Sequence, residues 1–148
     1  MHMASLIATG FSVVTTLDRT RVIAAHLAES YGMARFCKAI RATEVAVLEL
    51  EDKASQARRT ILEECRRAVI EDRSGAVVLG CAGMADLAAD IAAEIKVPVI
   101  EGVAAAVKLV ESLVSLGLRT SKTGDLAYPI PKPYRGDFAG LAPTPRTE

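Results

Sequence analysis

The sequence has 148 residues, enough for one hydrophobic core of ordinary size or for one domain with a projecting tail. Its 18 basic and 18 acidic residues give a formal net charge of zero, and no basic stripe is interleaved with aromatic residues. This balance argues against a nucleic-acid partner, because such binding needs Lys and Arg to displace counterions from phosphates. Apolar residues make up 51% of the chain and aromatic residues 4%, which favours helices packed on a buried parallel sheet.

The longest uncharged stretch, residues 3–17, is shorter than the roughly 20 apolar residues of a membrane span. It also lacks the basic segment and the small-residue cleavage site of a signal peptide. Three cysteines, an odd number, without a secretion signal predict reduced thiols in the cytoplasm. The cysteines are far apart, and the only histidines are His2 and His26, so no ligand pair has zinc spacing. We therefore expect no membrane partner and no metal.

The first part of the chain predicts a helix, a strand and a second helix. Residues 1–8 resemble the last turns of an apolar helix. Residues 11–17 predict a buried strand, and Asp18 after it is a typical helix cap. The helix that follows has one apolar stripe at helical spacing, made of Val22, Ile23, Leu27 and Tyr31.

The segment after residue 36 predicts two short strands, near residues 38–41 and 45–48. A helix is then indicated from residue 54 to about residue 72. Its polar face places Glu63 and Arg67 one turn apart, where they can form an ion pair. Its apolar stripe consists of Ile61, Leu62, Cys65, Ala68 and Val69.

The third segment begins with residues 76–79, an apolar run without alternation that is typical of a strand covered on both faces. The motif Gly-Cys-Ala-Gly follows at residues 80–83, and a helix comes next. Residues 97–100 predict a further strand, and residues 103–116 a long helix. The alternation of strand and helix predicts an α/β fold with a doubly wound, Rossmann-like parallel sheet.

The composition changes after residue 119, where prolines and glycines become frequent. This change predicts an irregular tail over residues 121–148 and places the α/β domain within residues 1–120.

Ligands of open α/β sheets bind at the carboxyl ends of the strands, and two strand ends here carry suitable groups. The first ends in Thr15 and Thr16, which offer hydroxyl and backbone N–H groups. The second ends in the motif at residues 80–83, where Cys81 stands at the predicted start of a helix. The dipole of a helix favours a thiolate there and lowers the thiol pKa. The glycines allow close approach to the backbone, and free N–H groups can hold a carboxylate or a developing enolate.

Each of these residues also has a purely structural interpretation. A free cysteine is most often a small buried hydrophobe, which suits Cys65 on its apolar stripe and also Cys37. For Cys81 the pattern alone leaves both interpretations open. Thr15 and Thr16 are also β-branched residues of the kind that strands favour.

Four stretches of the sequence resemble one enzyme family. Residues 77–84 (VVLGCAGM), 97–107 (VPVIEGVAAAV) and 117–122 (GLRTSK) resemble the C-terminal half of hydantoin racemases. Residues 11–20 (FSVVTTLDRT) resemble the opening of that family's second domain. These enzymes group with aspartate/glutamate racemases, allantoin racemases and arylmalonate decarboxylases. The resemblance covers nearly the whole chain and does not separate hydantoin from allantoin as the small-molecule substrate.

The resemblance implies one lobe of a fold with two pseudo-symmetric α/β lobes, each contributing one cysteine to a cleft. One thiolate removes the proton from the stereogenic carbon, and the other thiol returns a proton to the opposite face. It also implies that no cofactor is needed, because backbone amides can stabilise the enolate of the adjacent carbonyl. Cys81 would be the catalytic cysteine of the second lobe. The expected substrate-binding residues are Thr15, Thr16, Gly80, Ala82 and Gly83.

The chain departs from the family in that the first lobe, with its own cysteine, is expected before residue 1. Neither Cys37 nor Cys65 has the glycine-flanked setting that could replace the missing thiol. We therefore expect a truncated racemase that is inactive by itself and forms homo-oligomers through exposed apolar surfaces. Two alternatives remain: a decarboxylase of the same superfamily, which needs one cysteine, and a non-catalytic anion-binding or assembly module.

Overall fold

The structure, a computed structural model, describes residues 1–50 and 56–143. Contacts within the chain define two compact units, residues 1–109 and residues 110–148. The boundary predicted at residue 120 stays a prediction. Within the described residues, no helix is both long enough and apolar enough to cross a membrane.

Helices and strands alternate along the first unit, as the sequence predicts. The strands are β1 (Phe11–Thr15), β2 (Cys37–Ala42), β3 (Ala76–Leu79) and β4 (Val99–Glu101). The helices are α1 (His2–Ile7), α2 (Asp18–Ser30), α3 (Ala57–Ile70), α4 (Ala88–Ile95) and α5 (Gly102–Ser115), whose last residues belong to the second unit. The described part of the second unit also contains two short 3-10 helices, Gly124–Leu126 and Gly136–Leu141.

The four strands form one parallel sheet in the order β2-β1-β3-β4. In the register of this sheet, Phe11 pairs with Cys37 on one side and with Ala76 on the other. Every residue of β1 and β3 is buried, because these two strands are central and both faces are covered. This arrangement confirms the predicted α/β class with a parallel sheet.

Helices cover the two faces of the sheet unequally. The face under α3 and α4, called the closed face below, has a large aliphatic core: Val14, Ile61, Cys65, Ala68, Val77, Leu79, Met84, Leu87, Ile91 and Ile95. The face under α1 and α2, called the open face below, has a smaller core: Ala4, Phe11, Val13, Ala24, Ala76 and Val78.

Two local predictions were wrong for identifiable reasons. Residues 45–48 do not form a strand; Val47–Leu50 is a 3-10 helix instead. Glu44 has a φ of 54°, which turns the chain out of the extended conformation directly after β2. Arg67 pairs with Glu64 and Glu71 rather than with Glu63. The predicted start of α3 at residue 54 lies outside the described residues.

The apolar stripe predicted on α2 exists, but it does not face the sheet. Val22 and Ile23 are 59% and 58% exposed, whereas Ala24 and Ala28 are buried. The small alanine side chains let α2 approach the strands closely, so the larger aliphatic residues point away from this core. The open face therefore presents apolar surface that this unit does not cover.

Candidate active site

The carboxyl ends of β1 and β3 lie side by side in the middle of the sheet. The chain passes from β1 through α2 to the strand on one side, and from β3 through α4 to the strand on the other. Such a switch in direction opens a crevice at the carboxyl edge, where α/β proteins bind ligands. The Gly80 N–H donates to the Val14 carbonyl at 2.8 Å, which joins the two strand ends.

A cleft of about 700 Å³ opens at this edge on the open face. Of the six site residues predicted from the sequence, four line it: Thr15, Gly80, Cys81 and Ala82. Its apolar wall comes from α2 and α5, through Ile23, Leu27, Val103 and Val107. The structure thus brings the two predicted strand ends into one cavity.

The other two predicted residues, Thr16 and Gly83, do not line this cleft. Thr16 is buried, and its carbonyl accepts a hydrogen bond from the Thr43 hydroxyl at 3.2 Å. A side chain at Gly83 would meet Val47 and Leu50 on one side and the Cys81 thiol, 3.7 Å away, on the other. Their roles in substrate binding stay predictions.

Gly80 is required by close packing rather than by an unusual backbone angle. A Cβ atom at this position would lie 2.9 Å from Thr15 Cβ and 3.2 Å from both Thr15 Oγ1 and Val13 Cγ1. These neighbours belong to a buried central strand that cannot move aside easily. Any larger residue would therefore displace the hydroxyl that lines the cleft.

Cys81 is half-buried and follows Gly80 in an extended conformation, with φ −141° and ψ 132°. The helix predicted after it begins as a 3-10 helix, Ala82–Leu87, and α4 starts only at Ala88. An α-helix terminus is therefore not adjacent to the thiol, contrary to the sequence prediction. The first turn of the 3-10 helix closes with a hydrogen bond from the Met84 N–H group to the Cys81 carbonyl oxygen.

This turn leaves two backbone donors beside the thiol. The N–H groups of Ala82 and Gly83 have no acceptor among the described residues. Such groups can hold an anion or a developing enolate next to the sulfur. The local turn therefore supplies the donors that the sequence analysis assigned to an α-helix.

The two other cysteines lie away from this cleft and in environments that favour the neutral thiol. Cys65 is fully buried on the closed face, where burial and, to a smaller degree, the charge of Glu64 raise its pKa to about 12. Cys37 begins β2, at the amino end of the sheet. Burial and then the charge of Asp72 raise the pKa of Cys37. Neither thiol can act in the cleft that Cys81 lines.

The sequence analysis did not single out Thr20, which also lines the cleft. Its hydroxyl lies 2.7 Å from the Thr15 hydroxyl and 2.6 Å from the Leu17 carbonyl. Its place one turn into α2, inside the stretch at residues 11–20, is the signal that could have identified it. Among the described residues, no group of three or more His, Cys, Asp or Glu side chains could hold a metal.

The model of the family described as "Asp/Glu/Hydantoin racemase" matches residues 1–110. The chain belongs to the Asp/Glu/hydantoin racemase family. Two relatives named "Hydantoin racemase", from Pseudomonas sp. (strain NS671) and from Rhizobium meliloti, are each 43% identical to it. The matches cover 92% and 87% of this chain, and 55% and 54% of those proteins.

Solved structures agree with the family assignment. An allantoin racemase from Klebsiella pneumoniae is 55% identical, with a TM-score of 0.87 over 97% of this chain and 58% of that chain. An allantoin racemase from Pseudomonas fluorescens is 41% identical, with a TM-score of 0.82 over 91% of this chain and 57% of that chain. This chain spans 54–58% of the length of these four proteins.

Proposed function

We propose that this chain supplies one proton-transferring thiol, that of Cys81, to a racemase acting on a 5-substituted hydantoin or on allantoin. The observation that carries the proposal is the position of Cys81 in a cleft at the switch point of the sheet, beside two backbone N–H groups that have no acceptor within residues 1–50 and 56–143. The family supports it, because relatives are named hydantoin racemase and solved neighbours are named allantoin racemase.

The proposed reaction is proton exchange at a carbon next to a carbonyl group. A thiolate takes the proton from this carbon, and the electron pair of the broken C–H bond moves onto the carbonyl oxygen. The N–H groups of Ala82 and Gly83 stabilise the enolate that forms. A thiol on the opposite face then donates a proton to the carbon, which gives the other enantiomer. No cofactor takes part in these steps.

The second thiol of this scheme comes from polypeptide outside residues 1–148. Cys65 is on the closed face and Cys37 is at the amino end of the sheet, so neither reaches a substrate held beside Cys81. The greater length of the relatives is consistent with a second lobe that carries this thiol. The proposal also includes a cytoplasmic location, and self-association through apolar side chains around the cleft, such as Ile23 and Val107.

The proposal is tested by joining this chain to the part of the Klebsiella pneumoniae allantoin racemase that it does not match. We expect the chimaera, but not the chain by itself, to racemise allantoin or 5-isopropylhydantoin in polarimetry with each enantiomer. Cys81→Ser should abolish racemisation in both directions, because one thiol reaches only one face of the carbon. Cys37→Ser is the matched control and should leave the rate unchanged. Full activity of the Cys81→Ser chimaera would refute the role of this thiol.

A further inference from the structure

Three oxygen atoms form a short chain at the wall of the cleft. Thr15 Oγ1 lies 2.7 Å from Thr20 Oγ1, which lies 2.6 Å from the carbonyl oxygen of Leu17. Both threonines line the cavity, and Thr15 is only 2% exposed. The described residues place no other hydrogen-bond partner on either hydroxyl group.

The position of each proton in this chain follows from the chemistry of its last member. A carbonyl oxygen only accepts, and a threonine hydroxyl has one proton to donate. The Thr20 proton must therefore lie toward Leu17, since otherwise two oxygens would face each other at 2.6 Å without a proton between them. The Thr15 hydroxyl then donates its only proton to Thr20 Oγ1. Thr15 has no proton left for a ligand and can only accept.

The surroundings hold Thr15 in this orientation. Its carbonyl oxygen accepts from both the N–H group and the hydroxyl group of Thr43, at 3.1 Å and 3.3 Å. Its side chain packs against Gly80, with no room for even a Cβ atom between them. Thr20 is fixed at the first turn of α2, where its own N–H group also donates to Leu17 O at 2.9 Å.

We propose that Thr20 is a positioning residue that makes Thr15 a fixed hydrogen-bond acceptor, and that this acceptor selects ligands with an N–H group at that point of the cleft. This inference rests on the proposed function, since it names the feature of the substrate that the site recognises. The ring of a cyclic ureide offers such an N–H group. A carboxylate or a carbonyl oxygen placed there would face the lone pairs of Thr15 and would be rejected.

The test compares 5-isopropylhydantoin with its N1-methyl and N3-methyl derivatives, by ¹H–¹⁵N NMR titration of the 148-residue chain. We expect methylation of one nitrogen to weaken binding about tenfold, the usual effect of leaving a buried acceptor without its donor. In Thr20→Val, the Thr15 hydroxyl can rotate and donate, so the discrimination should fall to about threefold or less. Thr20→Ser keeps the hydroxyl and should keep the full discrimination. Thr60→Val removes a comparable hydroxyl bond, to Gln56 O, far from the cleft and should also keep it.

A Thr20→Val chain that binds hydantoin with undiminished discrimination would overturn the inference and leave the proposed function standing. If none of the three compounds bound the unmodified chain, the inferred ligand class would be refuted, whereas the proposed function would still be decided by racemisation in the chimaera. Neutron diffraction of the deuterated protein tests the role of Thr20 separately, without a ligand. Deuterium on Thr15 directed at Thr20 supports it, and deuterium on Thr20 directed at Thr15 overturns it.

Discussion

The two faces of the sheet differ in how completely they are covered. On the closed face, long aliphatic residues of α3 and α4 interdigitate with the strands, and Ile61 and Met84 are fully buried. On the open face, α2 touches the strands through alanines and directs its larger apolar residues outward. The cleft with Cys81 opens on this second face. The closed face thus carries most of the aliphatic packing, and Cys81 lies at the boundary, packed against that core and lining the cleft.

The largest difference that we expect between the faces is in the rate at which their cysteine thiols are alkylated. Cys65 on the closed face is fully buried with a pKa of about 12, whereas Cys81 lines the cleft. At pH 8 we expect iodoacetamide to alkylate Cys65 about a thousandfold more slowly than Cys81, because only the accessible thiolate reacts. Cys37, whose pKa is also raised, should be slower than Cys81. Peptide mass spectrometry measures each rate, and unfolding in urea should make the three rates similar. Faster reaction at Cys37 or Cys65 would contradict the site assignment.

The next difference is in stability and uses two isoleucines. Ile61 is fully buried on the closed face and Ile23 is 58% exposed on the open face. Ile61→Ala should lower the free energy of unfolding by about 3 kcal/mol, because it removes buried methyl groups and leaves a cavity. Ile23→Ala should change it by less than about 0.5 kcal/mol. Urea denaturation followed by circular dichroism gives both values. Equal losses would show that α2 packs against further protein in solution.

A smaller effect on the free energy of unfolding should come from substitutions at the polar edge of the closed face. Arg41 on β2 is nearly buried and bonds to Asp72, Glu64 and Glu71. Asp72 also accepts a hydrogen bond from the buried Ser12 hydroxyl at 2.7 Å. We expect Asp72→Asn to cost about 1–2 kcal/mol at neutral pH. Glu71→Gln, at an exposed side chain, should cost clearly less, because solvent screens this ion pair.

The pH dependence of this effect follows from the direction of the pKa shift. The hydrogen bond from Arg41, and then that from Ser12, lower the pKa of Asp72. The folded state therefore binds this proton less readily than the unfolded state, and the stabilisation is complete above the ordinary carboxylate range. It is lost as the pH falls through the lowered pKa. The stability difference between the unmodified chain and Asp72→Asn should thus shrink in acid, and a constant difference would contradict this account.

The smallest expected energetic effect is on self-association of the isolated chain. Apolar residues around the cleft are exposed, and such patches seek partners. We expect concentration-dependent sedimentation at micromolar protein, reduced by Ile23→Asp on the open face. Ile70→Asp is the matched control, because Ile70 is equally apolar and even more exposed but lies at the end of α3. A compact monomer in the unmodified chain would argue against association through the open face.

The sequence was sufficient for the order of the elements and for the parallel sheet. The uncharged run at residues 11–17 and the unbroken apolar run at residues 76–79 are produced by burial on both faces, and this signal is local. The sequence was insufficient to predict the conformation of residues 45–48, because a positive φ at Glu44 turns the chain away from the sheet. Nor could it show that the stripe of Val22 and Ile23 is exposed, because periodicity identifies an apolar face without identifying what covers it.

The candidate site was predictable only in part for a related reason. Strand ends indicated Thr15, Gly80, Cys81 and Ala82, because the carboxyl edge of a parallel sheet is a known ligand position. Thr20 could not be found in this way, since its contact with Thr15 depends on the angle at which α2 leaves the sheet. The 3-10 helix after Cys81 could not be predicted either, because its residues are equally compatible with an α-helix.

The pairing of β1 with β3 has a consequence for the order in which the chain can fold. Phe11 pairs with Ala76, so the two central strands come from distant parts of the sequence. A growing chain emerges from the ribosome with its amino end first. β1 can pair early with β2, but its other edge waits for more than thirty further residues after β2 ends. Contacts of such long range slow folding. The assembly of the cleft, which needs the ends of both central strands, is therefore a late event in the biogenesis of this protein.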